Sequence, residues 1–307
     1  MDGSALSKDE KKQVTPAAAG IRNAAATPLK PRTRPHNVGS NKHNGVIGME
    51  YKNIILEKDG EIVTMTINRP QILNALDDDT YNEIGAAVDE IRQDKALRVL
   101  IITGAGKAFV AGADINLLRV LTGPQARANS DRCNRIMRKI ETMEIPAIAA
   151  INGHAFGGGC ELALACDIRL AAEEAQLGLP EVSLGVMPGC GGNLRLPALV
   201  GAGRAREMIY TAARISAEEA YRIGLVNHVY PADQLMEETR KLAQRIIKNA
   251  PRSVELSKYV IDQGLQMNID TALRVEADAF GMCCATEDKN EGTEAFLQKR
   301  KPVYKGK

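Results

Sequence analysis

The run Val99–Thr103 (Val-Leu-Ile-Ile-Thr) is the feature that most restricts the fold. A strand with one wet face alternates apolar and polar residues. This run does not alternate, so it reads as a strand buried on both faces, which needs helices or further layers to cover it. Ala147–Ile151 and Ile168–Ala172 read as further strands. Helical spacing lies between and around them. Asp78–Asp94 places Tyr81, Ile84, Val88 and Ile91 on one stripe, with Asp77–Asp79 suited to the positive end of the helix. Gln125–Met143 is a second helical stretch, and Glu161–Ala165 is expected to begin a helix straight after a run of glycines. Upstream, Asn53–Lys58 and Ile62–Asn68 read as a hairpin joined at Asp59-Gly60 and ended by Arg69-Pro70. Downstream, Ala202–Ala212, Ser216–Ile223, Gln234–Asn249 and Pro251–Gln266 carry helix spacing. Ser216 with Glu219 forms a capping-box pattern, and Pro251 suits a helix start. The pattern is an α/β spiral of about 200 residues followed by a helical tail.

The 307 residues suffice for one large domain or two modest ones with a sizeable core. A formal net charge of +2 gives no global attraction to nucleic acid or anionic membranes. No apolar run approaches the roughly 18 residues that span a bilayer, so no membrane partner is expected. Residues 1–48 differ from the rest, with Pro16, Pro28, Pro31 and Pro35, many Ala, Asn, Lys and Arg, and few large apolar side chains. Such a stretch cannot bury enough surface to offset its ordering entropy, and reads as a disordered leader or extension. Met49 stands as if it were the start of the folded protein. Asp2, Asp9 and Glu10 count against a targeting peptide. The six cysteines make no CxxC pair and the four histidines no HExxH, so no metal is expected and the thiols read as small buried residues.

Three glycine-rich constellations carry the chemistry. Gly104–Ile115 follows a strand, but Phe109 stands where a dinucleotide fingerprint needs its third glycine, and Ala108 where a phosphate loop needs Ser or Thr. It reads either as a plain strand–loop–helix connector or as a small-residue turn whose backbone can approach a ligand. Gly157-Gly158-Gly159 leads into Glu161. A helix start there offers free N–H groups and a dipole to a developing negative charge, or else merely permits tight packing. Pro180-Glu181 lies among Leu179, Val182, Leu184 and Val186 and precedes the Gly189–Gly192 turn. Apolar surroundings make a carboxyl a better proton donor near neutral pH; a solvated loop acid is the alternative. His154, just before the glycines, is expected to pack rather than react, and Cys160 has no base spaced to activate it.

Together these motifs resemble the crotonase (enoyl-CoA hydratase/isomerase) superfamily from Tyr51 to Tyr304. The likeness is carried by Asn68-Arg69-Pro70 with Leu73-Asn74-Ala75-Leu76, by Ala111-Gly112-Ala113-Asp114-Ile115, and by Asn152-Gly153. Gly157–Glu161-Leu162, Pro180-Glu181, Pro188–Gly192 and Ala220–Asn227 continue it. The tail Phe280–Cys283, Ala285–Asp288 and Glu291-Gly292 is similar to bacterial short-chain hydratases of that family. The resemblance implies a crotonase-like spiral of β-β-α units over 49–245 and a helical trimerisation region over 246–307, assembled as a trimer or dimer of trimers. It implies fatty-acid metabolism by reversible syn hydration of a short-chain trans-2-enoyl-CoA, with CoA as part of the substrate and no separate cofactor. Glu161 and Glu181 would be the acid–base pair, and the amides of Ala113 and Gly158 the oxyanion hole. Leu73, Ala75, Ala111, Asp114, Ile115, Phe296 and Lys299 match substrate- and CoA-contacting positions, the last two commonly reaching a neighbouring subunit. Ile115–Gly123 is expected to wall the acyl pocket.

Because both glutamates are present, a hydratase is favoured over a double-bond isomerase, which needs one. Gln71-Ile72 replaces the Lys-Ala common in short-chain relatives, so no lysine contact to CoA phosphate is carried over from that loop. An RNA-binding homologue would present a lysine-rich helix early in the fold. Here that stretch holds Asp77, Asp78, Asp79, Glu83, Asp89, Glu90 and Asp94, which repel phosphate. A cytoplasmic location is expected, or a mitochondrial one if the leader is a transit peptide.

Overall fold

After an opening hairpin of two long strands, long and short strands alternate along the middle of the chain and go to different sheets. The computed structural model describes residues 50–307; the leader at 1–48 and the start at Met49 lie outside the described residues. Strands β1 (Ile54–Asp59) and β2 (Ile62–Ile67) form the expected antiparallel hairpin, with Asp59 opposite Ile62 and Gly60 at φ 60° in the turn. A 3-10 turn, Pro70–Ile72, leads to α1 (Asp78–Gln93), whose N-cap Asp77 accepts from the Thr80 amide at 2.8 Å. Then follow β3 (Val99–Gly104), β4 (Ala108–Val110), α2 (Ile115–Val120) and α3 (Gly123–Glu141). The second unit is β5 (Ala147–Ile151), β6 (His154–Phe156) and α4 (Gly158–Leu164). The third is β7 (Ile168–Ala172), β8 (Gln176–Gly178), a 3-10 turn at Pro180–Leu184, α5 (Gly192–Val200) and α6 (Ala202–Tyr210). The chain finishes with β9 (Arg214–Ser216), α7 (Ala217–Arg222), β10 (His228–Tyr230), α8 (Leu235–Ile247), α9 (Pro251–Gly264), α10 (Ile269–Cys284) and α11 (Glu287–Leu297).

The five long strands form one sheet, with three-residue β10 at its edge, in the order β1-β2-β3-β5-β7-β10, parallel except for the opening hairpin. Four other three-residue strands form a second sheet, β4-β6-β8-β9, with only β8 and β9 antiparallel. The units opened by β3, β5 and β7 each run long strand, short strand and helix, which is the β-β-α repeat. Every residue of β3 and β5 is buried, as the apolar runs require. Leu100, Ile101, Ile102 and Phe109 meet Met137 and Ile140 of α3 in the core. Tyr81, Ile84, Val88 and Ile91 are the buried stripe of α1.

Most element limits shift by one to three residues from expectation, and three differences at helix starts have an identifiable cause. Helix α3 begins at Gly123, because Gln125 accepts from the Thr122 amide at 2.9 Å and from its hydroxyl at 2.8 Å. Helix α4 begins at Gly158, three residues before Glu161, so low glycine propensity is overridden by tertiary packing. Ser216 caps α7, but Glu219 turns to Arg222 instead of completing the reciprocal bond.

Candidate active site

The N-terminus of α4 is pressed against β4. A Cβ placed on Gly159 would come within 2.0 Å of the Val110 carbonyl oxygen, so only glycine permits this approach. Gly157, at φ 51°, turns the chain into the helix, and its successor Gly158 carries one of the free first-turn amides. Across from it, Ala113 is bridged to Leu76: the Leu76 amide donates to Gly112 and the Asp114 amide to Leu76, both at 2.9 Å. Such pairing points the Ala113 N–H to the opposite side. A Cβ on Gly158 would stand 3.8 Å from the Ala113 nitrogen, which makes the two amides neighbours.

Glu161 lies one helical turn along α4 and is 2% exposed. Its Oε1 accepts from the Cys190 amide at 2.7 Å and the Gly192 amide at 2.9 Å. Burial raises its pKa; those two amides and the Arg195 charge oppose the rise, and burial prevails. Glu181, on the 3-10 turn, reaches the same place: a Cβ on Gly157 would lie 3.1 Å from its Oε1. Its Oε2 is buried and has no hydrogen-bond partner among the described residues. Burial, then the neighbouring Glu161 charge, pushes its carboxyl up to about 7. Of the flanking apolar residues Leu179 is buried, while Val182, Leu184 and Val186 are partly exposed, Leu184 and Val186 on the wall of the same cavity.

Both carboxylates, Ala113 and Gly158 share a cavity of about 880 Å³. Ala111 and Ile115 line it too, and Leu117, Leu118 and Leu121 supply the expected wall from α2 and its end. Leu73, Ala75 and Asp114 are not on that wall. The Leu73 carbonyl accepts from the Ala111 amide at 3.0 Å, the Ala75 carbonyl accepts from Arg69 at 2.5 Å, and Asp114 caps α2 by accepting from the Asn116 amide at 2.9 Å. Phe296 on α11 is 83% exposed and Lys299 follows that helix at φ 54°; neither lines the cavity of its own chain.

Tyr81, Cys133 and Cys190 also line the cavity, a role their place in the apolar pattern concealed. The Tyr81 hydroxyl is 3.7 Å from the Cys190 sulfur, and a tyrosine within an aliphatic stripe was the available signal. Hydrogen bonding to Cys133, then burial and the Glu161 charge, push the Cys190 thiol up. Burial pushes Cys160 up to about 12, so it is no nucleophile. Of the other cysteines, Cys133 and Cys166 are buried, Cys283 is half-buried and Cys284 is exposed. His154 stacks on Phe156 with ring centroids 5.2 Å apart, a packing role. Among the described residues no three His, Cys, Asp or Glu side chains are grouped to hold a metal ion.

Two sheets wound as β-β-α units, with paired amides and paired carboxyls in one groove, define an acyl-thioester enzyme of the crotonase type. The enoyl-CoA hydratase/isomerase family matches residues 57–307, and the chain belongs to that family. It is 51% identical over 257 residues to a crotonyl-CoA hydratase of Syntrophomonas wolfei, covering 83% of this chain and 99% of that one. It is 48% identical over 254 residues to a short-chain-enoyl-CoA hydratase of Clostridium acetobutylicum, covering 82% and 97%. The crystal structure of an enoyl-CoA hydratase from Bacillus anthracis superposes with a TM-score of 0.81 at 42% identity, covering 83% of this chain and all of that one.

Proposed function

We propose that the protein catalyses reversible syn hydration of short-chain trans-2-enoyl-CoA to 3-hydroxyacyl-CoA. One observation carries this reading: two carboxyls, each raised by burial, face one cavity beside two adjacent backbone amides. The thioester oxygen accepts from Ala113 and Gly158, which makes Cβ electrophilic and holds the enolate charge as it develops. Water lies between the glutamates. Ionised Glu161 takes one proton as the oxygen bonds to Cβ, and protonated Glu181 delivers its proton to Cα. Both act from one side, hence syn addition, and reversal gives dehydration. Coenzyme A enters as part of the substrate. The relatives named for crotonyl-CoA and short-chain enoyl-CoA support a short acyl chain.

The chain is further proposed to assemble as a trimer or a dimer of trimers, with Phe296 and Lys299 reaching the CoA end of a neighbouring copy. Exposed Leu265, Phe280, Phe296 and Leu297 on and beside the last helices support this. The test is loss of conjugated thioester absorbance with crotonyl-CoA and longer enoyl-CoAs. Glu161→Gln and Glu181→Gln are each expected to lower kcat by about 10²–10⁴. An unchanged hydration rate in either variant overturns the paired mechanism, and double-bond migration that survives Glu161→Gln selects the isomerase instead.

A further inference from the structure

Glu161 takes its hydrogen bonds from a turn, and that turn is gripped by α3. The Gly189 carbonyl oxygen accepts from Ser130 Oγ at 2.5 Å and from Asn134 Nδ2 at 3.1 Å. The N–H at the other end of the same peptide, that of Cys190, donates to Glu161 Oε1 at 2.7 Å. We propose that Ser130 and Asn134 are positioning residues for Glu161, acting through the Gly189–Cys190 peptide; this rests on the hydratase reading of Glu161.

A peptide unit is planar, so fixing its oxygen fixes the direction of its N–H. Donors on the oxygen also draw electron density from the nitrogen and strengthen the N–H as a donor. Ser130 and Asn134 stand four residues apart on α3, hence on one face, and Asn134 Nδ2 lies 3.4 Å from Ser130 Oγ. The next peptide is held from the same helix. Arg195 donates to the Cys190 carbonyl at 2.7 Å while pairing with Glu141 of α3, Nη2 to Oε2 at 3.1 Å. Gly191, at φ 96°, then swings the Gly192 amide back onto Glu161. The titratable groups around Glu161 are Glu181 from its turn, Tyr81 from α1, Cys133 from α3, Cys160 from α4, Cys190 from the glycine turn and Arg195 from α5. Ser130 and Asn134 carry no charge, so their removal changes the donor strength and aim of one amide and leaves the surrounding charges in place.

A mere brace for the turn and a relay to Glu161 predict different readouts. Loss of a brace lowers Tm. Loss of a relay also weakens support for the ionised carboxyl, so the Glu161 midpoint rises. The experiment is an infrared pH titration of the Glu161 carboxyl on the full chain, with Glu161→Gln as blank, in wild type, Ser130→Ala, Asn134→Ala, the double variant and Ser130→Thr. At a strengthening of about 10–30% per bond, the midpoint should rise by about half a pH unit in the double variant. Ser130→Thr, which keeps the hydroxyl, should restore it. In the hydratase assay, kcat should fall about tenfold with KM within about twofold. Folded single variants with an unmoved midpoint overturn the proposal, and they decide it even where the double variant does not fold. A wild type that hydrates no enoyl-CoA overturns the hydratase reading instead, while the infrared midpoint still decides the relay.

Discussion

The Glu161 charge helps to raise the Glu181 carboxyl, and in the proposed mechanism the two groups share one proton. In that mechanism hydration starts with Glu161 ionised and Glu181 protonated, and dehydration with the proton on the other partner. Both states hold one proton, so kcat/KM should trace the same bell-shaped pH profile in both directions. The rate falls on the alkaline side as the shared proton leaves, close to the value of about 7 for Glu181. It falls on the acid side when both carboxyls are protonated. Measuring crotonyl-CoA hydration and 3-hydroxybutyryl-CoA dehydration across pH checks this, and limbs that differ between directions contradict it. Gly158 gives a second prediction. A Cβ there would meet the Tyr81 hydroxyl at 2.8 Å, so Gly158→Ala should lose about 1–3 kcal/mol of stability. Tyr81→Phe in the same chain should return part of that loss in thermal unfolding. The glutamates were legible because glycines and a proline frame them. The supports of Glu161 were not, since Ser130 and Asn134 reach it only through backbone groups of a distant turn, and Arg195 acts on it from a separate helix.

Helix α4 joins the two sheets to the chemistry, and both of its ends are fixed. At its start Gly159 faces the Val110 carbonyl at no distance a methyl group tolerates. Gly159→Ala should cost about 4 kcal/mol or more, read as loss of the folded protein in circular dichroism. Beyond its end, buried Arg169 of β7 donates to the Cys166 carbonyl at 2.6 Å and the Leu225 carbonyl at 2.8 Å. Arg169→Met should orphan these carbonyls and lower stability by about 2–4 kcal/mol in urea unfolding. The long strands were readable to within a residue because mainly apolar runs leave few other readings: Ala147–Ile151 and Ile168–Ala172 match residue for residue, while β1, β2 and β3 differ by one residue at one end or both. The second sheet was not, because β4, β6, β8 and β9 have three residues each, too few to display a period. Their place is set by pairing with one another.

Over the described part of the chain, the first helix and the last ones present different surfaces. The acids of α1 are largely engaged at home: Asp77 with Arg69 at 2.6 Å, Asp89 with Lys139 and Asp94 with Lys58 at 2.5 Å, and Asp78 with Arg132. That helix offers nucleic acid no basic face. The C-terminal helices carry exposed apolar side chains, with Leu265, Phe280, Phe296 and Leu297 each at least 70% exposed. Sedimentation is expected to give three or six copies per particle, and a monomer at working concentration would contradict the proposed assembly. A conjugated thioester is also a soft electrophile, able to alkylate any thiolate it meets. Two thiols line the groove: Cys190, pushed up by hydrogen bonding to Cys133, burial and the Glu161 charge, and Cys133, pulled down by its hydrogen bond with Cys190 and the Arg132 charge against its burial; Cys160 is fully buried and off the wall. The hazard of self-alkylation by the feedstock is thereby confined to Cys133, and peptide mass spectra after long incubation with crotonyl-CoA should show no thioether adduct at Cys160 or Cys190.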